Sequence, residues 1–207
     1  MRPTIRSPAP ELGPRATRTI TKILWATKAV FLARGYAGTT IDEITRVAGV
    51  SRGSFYTYFP SKRDALLALG ADSIRASRRV VGQLRDLPNS WTEADLESFV
   101  ENWFEMLEEH GSFGFAWTQA AHEDDEIREA GMKTHLQLCR EMGLAATALR
   151  GEPFDDPTAL GLLIVSMLER GWAYCQLYAG TTDVADVRRT AVEVLAAVVR
   201  RPAGKRR

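Results

Sequence analysis

Arg52, Gly53, Ser54, Tyr56, Thr57 and Tyr58 fall within one short stretch and bring together a guanidinium, four hydroxyls and a bare backbone position. These groups recognise by hydrogen bonding and do not make or break bonds. An arginine fork matches a guanine edge, and small hydroxyls such as Ser54 and Thr57 can touch base edges or thymine methyls. Gly53 lets the backbone come close, while Tyr56 and Tyr58 suit phosphate oxygens, with simple packing an equal reading for Tyr58. Ser51 precedes the stretch as a helix cap. Thr40 before it and Lys62 after it complete the candidate set as further phosphate contacts. At the start of a helix a lysine opposes the macrodipole, and a phosphate placed there would relieve it.

Other chemistry finds less support in the residue types. His122, Glu123, Asp124 and Asp125 form a continuous run at a helix start, where acids are favoured in any case. His110 and His135 belong to no recognisable motif in the sequence. Cys139 and Cys175 are far apart, with neither metal-ligand spacing nor a disulfide framework, which fits a reducing cytoplasm. There is no phosphate loop, nucleophile elbow or paired histidine motif. The reading is therefore a protein without catalytic residues, metal or cofactor.

The elements that must position these residues are legible. Ile41, Ile44 and Ala48 recur at helical spacing after Thr40-x-x-Glu43, a capping-box start. Gly49 can turn the chain sharply, Val50 can plug the gap, and Phe55 and Phe59 hold down one face of a helix over roughly 52–59. Helix, glycine turn and short polar helix make a helix-turn-helix, whose second helix fits the DNA major groove. Over Thr19 to Leu69, and above all in AGVSRGSFYTYFPSKRDALL, the sequence resembles the TetR family of bacterial transcriptional regulators. WTQAAHEDDEIR is similar, less specifically, to the ligand-binding halves of that family. Thr45 stands where the family usually has alanine, so its hydroxyl needs a partner such as a carbonyl one turn back.

Charge divides the chain in the same place. Through Arg63 there are 11 Lys and Arg against 3 Asp and Glu, a balance of +8; from Asp64 onward 16 stand against 23, a balance of −7. A basic head on an acidic body implies that only the head meets a polyanion. The expected organisation is a disordered arm over 1–16, a helix-turn-helix domain over 17–63, a helical effector-binding and dimerisation domain over 64–201, and a basic tail over 202–207. Arg2, Arg6 and Arg15 could let the arm touch the minor groove, or the arm is a loose leader. The first helix is expected from Thr17 to Arg34, ended by Gly35, with Thr27 bonding back to the Ile23 carbonyl. The fourth follows Pro60 and runs to about Leu87.

In the body, a helix after Thr92 should close at Gly111 and a short aromatic one should follow. A polar turn over His122 to Glu126 then leads to a helix ending near Arg150. The last two, about 157–180 and 184–200, are apolar on more than one face. Each needs two partners, the second being the same pair in another subunit unless both faces are buried inside one monomer. The fold class is thus all-α, about nine helices, with a three-helix head. Trp103, Phe104, Phe113, Phe115, Trp117, Met142, Trp172 and Tyr174 supply the surface of an apolar pocket, or simply of a core.

With the resemblance, these features imply a homodimer on a palindromic, double-stranded operator. They imply a repressor released by a small apolar or aromatic effector, without a membrane segment and cytoplasmic. A helical small-molecule-binding protein or enzyme whose head is an interaction module, or a DNA-binding protein without an effector, are the alternatives.

Overall fold

The computed structural model describes residues 13–200, except the side chains of Ser112 and Phe115. Arg2 and Arg6 of the expected arm, the basic tail over 202–207, and the Phe115 side chain therefore lie outside the described residues. Within them the chain forms nine helices and no strand. These are α1 (Pro14–Gly38), α2 (Ile41–Ala48), α3 (Arg52–Tyr58), α4 (Lys62–Arg85), α5 (Glu93–His110), α6 (Ser112–Glu123), α7 (Asp125–Arg150), α8 (Pro157–Leu177) and α9 (Val184–Val199). Two compact units divide at Ala68 and Leu69, inside α4. The sequence alone placed that edge at Arg63.

In the first unit, Ile23, Ala26 and Val30 of α1 meet Ile44 and Ala48 of α2, Phe55 and Phe59 around α3, and Ala65 at the start of α4. The helix α1 starts at Pro14, earlier than the expected Thr17, because a proline at the first helical position has no N–H to leave unpaired. Arg15 therefore sits in its first turn and not in a loose arm. Its regular course breaks at Gly35, at φ 70° and ψ 174°, and a short turn carries on to Gly38.

Two buried threonines resolve differently. The Thr45 hydroxyl donates to the Asp42 carbonyl at 3.1 Å. Thr27 is fully buried and its hydroxyl finds no partner, so the expected bond to Ile23 is not made. Burial on the apolar stripe took precedence over a hydrogen bond at that position.

The second unit is a helical body around Leu96, Trp103, Phe104, Leu138, Met142, Leu168 and Leu195. Its tightest joint is between α7 and α8. A β-carbon at Gly143 would lie 1.7 Å from the Pro157 carbonyl oxygen, and one at Gly161 would lie 1.7 Å from that of Cys139. The two backbones touch there, and no side chain fits between them. Local caps set the helix starts: Asp124 accepts from the Glu126 and Ile127 amides, Asp156 from Thr158 and Ala159, and Asp183 from Ala185.

The expected polar turn shrinks to Asp124 alone, since α6 runs on through His122 and Glu123. Gly111 closes α5 as expected, with right-handed and not left-handed backbone angles, and a β-carbon there would meet the Trp172 ring at 2.6 Å. The ends of α4 and α8 fall short of the expected Leu87 and 180.

Candidate functional site

The α2–α3 corner is built by local rules. Thr40 caps α2 by accepting the Glu43 amide at 3.3 Å. Gly49 ends it in the left-handed region at φ 64°, which a side chain would resist. Ser51 caps α3 by accepting the Ser54 amide at 3.1 Å and donates to the Ser54 hydroxyl at 3.2 Å. Phe55 and Phe59 are buried with ring centroids 5.9 Å apart, and they seat α3 on the head's core.

The opposite face carries Arg52, Gly53, Tyr56 and Thr57 in solvent, with Ser54 half-buried. Tyr58 is also half-buried and packs against the core cluster, so packing accounts for it. The Thr57 hydroxyl donates back to the Gly53 carbonyl at 2.9 Å, and the residue is exposed. At Gly53 a β-carbon would meet nothing nearer than the Ser51 hydroxyl at 3.8 Å, an ordinary contact. Nothing inside the chain requires a glycine at that position.

Three arginines on this surface already have partners. Arg52 Nη1 donates to both carboxylate oxygens of Asp42, at 2.7 and 2.9 Å, and Nη2 lies 3.5 Å from the Tyr56 hydroxyl. Glu43 is shared by Arg34 at 3.4 Å and Arg46 at 4.0 Å. The Asp42 contact was missed in the sequence, because an acid in the first turn of a helix is accounted for by the dipole alone.

Lys62 differs from expectation in its surroundings. Its ammonium donates to the carbonyls of Tyr36 at 2.7 Å, Thr39 at 3.0 Å and Ala37 at 3.4 Å, and it lies 4.6 Å from the Tyr36 ring centre. The break at Gly35 exposes these carbonyls, and the lysine satisfies them. Its conflict with the α4 dipole is thus relieved within the chain.

The apolar candidates in the body do not share one place. Trp103, Phe104 and Met142 are fully buried, and Trp172 nearly so. The indole N–H groups of Trp103 and Trp172 are buried without an acceptor. Phe113 packs at a tilt against Trp117, ring centroids 5.4 Å apart, and Trp117 lies over Gly131 with its ring also near Gly70. Tyr174 is exposed and stacks on Tyr178 at 5.5 Å. An open groove of about 410 Å³ lies among Phe104 of α5, Met167 and Gly171 of α8, and Val187, Ala191 and Val194 of α9. Elsewhere on α8, Leu163 is 70% and Leu177 65% exposed.

Among titratable groups, burial pushes the Glu169 carboxyl up to about 7, against a smaller opposing influence of Arg170. Burial, with Glu169 nearby, pushes the Cys139 thiol up to about 11, so this cysteine is not a ready nucleophile. Burial lowers the His135 pKa. Among the described residues no group of three or more His, Cys, Asp or Glu could hold a metal ion, and no helix is long and apolar enough to cross a membrane.

Comparison with known proteins agrees with this geometry. Residues 23–69 match the family model for bacterial regulatory proteins of the TetR family. The chain is 29% identical over 174 residues to the HTH-type transcriptional regulator CymR of Pseudomonas putida, covering 79% of this chain and 82% of that one. It spans much less of some other curated relatives, 24% of one and 44% of another. Its fold is similar to that of the transcriptional regulator FadR of Bacillus subtilis, solved in complex with stearoyl-CoA. The TM-score is 0.67 at 16% identity, covering 86% of this chain and 98% of that one.

Proposed function

The chain belongs to the TetR family of bacterial transcriptional regulators, and from that premise we propose that it is a dimeric, ligand-responsive repressor of the cytoplasm. It binds a palindromic operator through α3 and is released by a small apolar or aromatic effector. The observation that carries the DNA reading is the exposed face of α3. Arg52, Tyr56 and Thr57 are exposed beside a glycine that the fold itself does not require.

On this reading Arg52 meets a base edge, Ser54 and Thr57 make small contacts in the groove, and Gly53 lets the backbone approach. Thr40, Ser51 and Tyr56 serve phosphates and register. Lys62 and Tyr58 act chiefly by fixing the corner, because the ammonium already has three carbonyls and Tyr58 lies on the core.

The dimer uses α8 and α9. Leu163, Leu177, Tyr178 and Val194 leave an apolar surface on these helices, and the open groove beside Gly171 can receive a side chain from a second copy. A two-fold interface of this kind presents two heads to half-sites about one helical turn, roughly 34 Å, apart or a multiple of it.

The effector enters the body among the aromatic residues. The FadR neighbour was solved with stearoyl-CoA, a molecule whose acyl chain is long and apolar. The two indole N–H groups of Trp103 and Trp172 without acceptors are the kind of buried polar group that orients such a ligand. To release DNA, the effector must favour one arrangement of the body over another, and α4 is the helix through which both units are joined covalently.

Selection of bound fragments from random duplex DNA tests the proposal. A recovered inverted repeat, with a dimer in solution, supports it. Equal and weak binding to every duplex at two salt concentrations rejects it. A small-molecule screen read by thermal shift, with operator release as the second readout, tests the effector.

A further inference from the structure

We propose that Asp42 is a specificity-determining positioning residue, which holds the Arg52 guanidinium so that one edge is presented to a single base pair. The inference rests on reading Arg52 as a base contact.

The two side chains come from different helices on either side of the Gly49 turn. Asp42 lies in the first turn of α2 and Arg52 opens α3. Both carboxylate oxygens converge on Nη1, at 2.7 and 2.9 Å. The weaker 3.5 Å contact to Tyr56 is made by Nη2. Among the described residues Nε has no hydrogen-bond partner. One end of the fork is therefore anchored, while the edge formed by Nη2 and Nε remains for a bidentate acceptor pair such as guanine O6 and N7.

The pair has little value for stability. Its side chains are 58% and 66% exposed, and ion pairs in water at that exposure contribute little. Its effect is on conformation and charge. A free arginine loses rotamer freedom when it docks, whereas an anchored one has lost part of it beforehand. Asp42 also places a negative charge beside a surface that must approach phosphates, which disfavours every duplex alike. A residue that weakens all binding slightly but aligns one donor pair raises the ratio between right and wrong sequences.

These effects give Asp42 a signature distinct from both a phosphate contact and a fold residue. The test uses the full-length protein with Asp42→Ala, Asp42→Asn, Arg52→Ala and the Asp42→Ala/Arg52→Ala pair. Each is titrated with the selected operator, with operators changed one base pair at a time, and with a scrambled duplex, at two salt concentrations. Far-ultraviolet circular dichroism and thermal unfolding confirm that each variant is folded. If Asp42→Ala fails to fold, Asp42→Asn, which keeps the shape and an acceptor oxygen, supplies the comparison.

The expected result for both Asp42 variants is scrambled-duplex binding tighter by a few-fold. Discrimination should fall about five-fold at one base pair, the same pair at which Arg52→Ala loses it. The slope of binding against salt should stay as in the parent, because no phosphate contact is removed. In the Arg52→Ala background, Asp42→Ala should leave discrimination where it was.

Unchanged discrimination in Asp42→Ala, or an equal loss with and without Arg52, overturns the proposal and leaves the base-contact reading standing. An Arg52→Ala protein that discriminates like the parent at every base pair overturns that reading and this proposal with it.

Discussion

Gly53→Ala separates the fold from the function, because the two should move in opposite directions. Gly53 lies in the first turn of α3 with ordinary helical geometry; positive φ is confined to other glycines. The added β-carbon would meet only the Ser51 hydroxyl, at 3.8 Å. Replacing a helical glycine by alanine under those conditions stabilises by about 0.5 kcal/mol, at the lower end of the range because the position is near a helix end. For a unit of this size that raises the melting temperature by roughly 2–4 °C.

Binding should go the other way. If the α3 backbone lies against the groove wall, the new methyl adds about 1.5 Å where there was already contact. Overpacking of that kind costs about 1–3 kcal/mol, or roughly five-fold to more than a hundred-fold in operator affinity. Thermal unfolding and titration of the selected operator measure the two effects. A variant that is more stable and binds operator as tightly as its parent would refute the argument, since the backbone of α3 could not then lie close to DNA.

Four other substitutions have signed outcomes. Gly143→Ala would set a β-carbon 1.7 Å from the Pro157 carbonyl and force α7 and α8 apart, so it should cost about 3 kcal/mol or more, whereas Gly82→Ala, facing only the end of Arg85 at 3.6 Å, should stabilise by about 0.5–1 kcal/mol. Chemical denaturation of both variants checks the pair. Glu169 holds a proton in the folded state up to about pH 7 that the unfolded chain releases near 4.5, so stability falls as pH rises through that window. Partial solvent access reduces the effect to on the order of 1–2 kcal/mol, and Glu169→Gln should flatten the profile of unfolding free energy between about pH 4.5 and 7. Lys62→Met should lower head stability by about 1–3 kcal/mol through the three released carbonyls, yet leave the salt slope of DNA binding unchanged. A slope smaller by about 0.9 would identify Lys62 as a phosphate contact instead.

What was legible in the sequence was what a few neighbouring residues decide among themselves. Thr40, Gly49, Ser51 and the Phe55–Phe59 pair each act within one turn of their own position, so the helix-turn-helix could be read directly. Pro14 also acts locally, but a basic, proline-containing leader hid it among residues of a disordered type. In the body, aromatic content indicated a core without indicating which faces meet. Gly143 and Gly161 are separated by a loop and a helix start, and only their juxtaposition explains why both lack side chains. Trp103, Tyr174 and Trp117 have similar chemistry in the sequence, yet one is buried, one is exposed and one lies over Gly131.

The same distinction explains why Arg52 and Lys62 take different roles despite equal claims as basic residues of the head. Either could have met a phosphate on residue type alone. The break at Gly35 leaves carbonyls within reach of Lys62, and an ammonium with three of them already satisfied gains little by exchanging them for one anion. Arg52 has five donors, and Asp42 engages only one end of its fork, so a second acceptor can be added without breaking the first contact. Specificity on this surface is therefore set by which donors remain after the protein has satisfied itself, a quantity that depends on contacts between helices and is invisible in the order of residues.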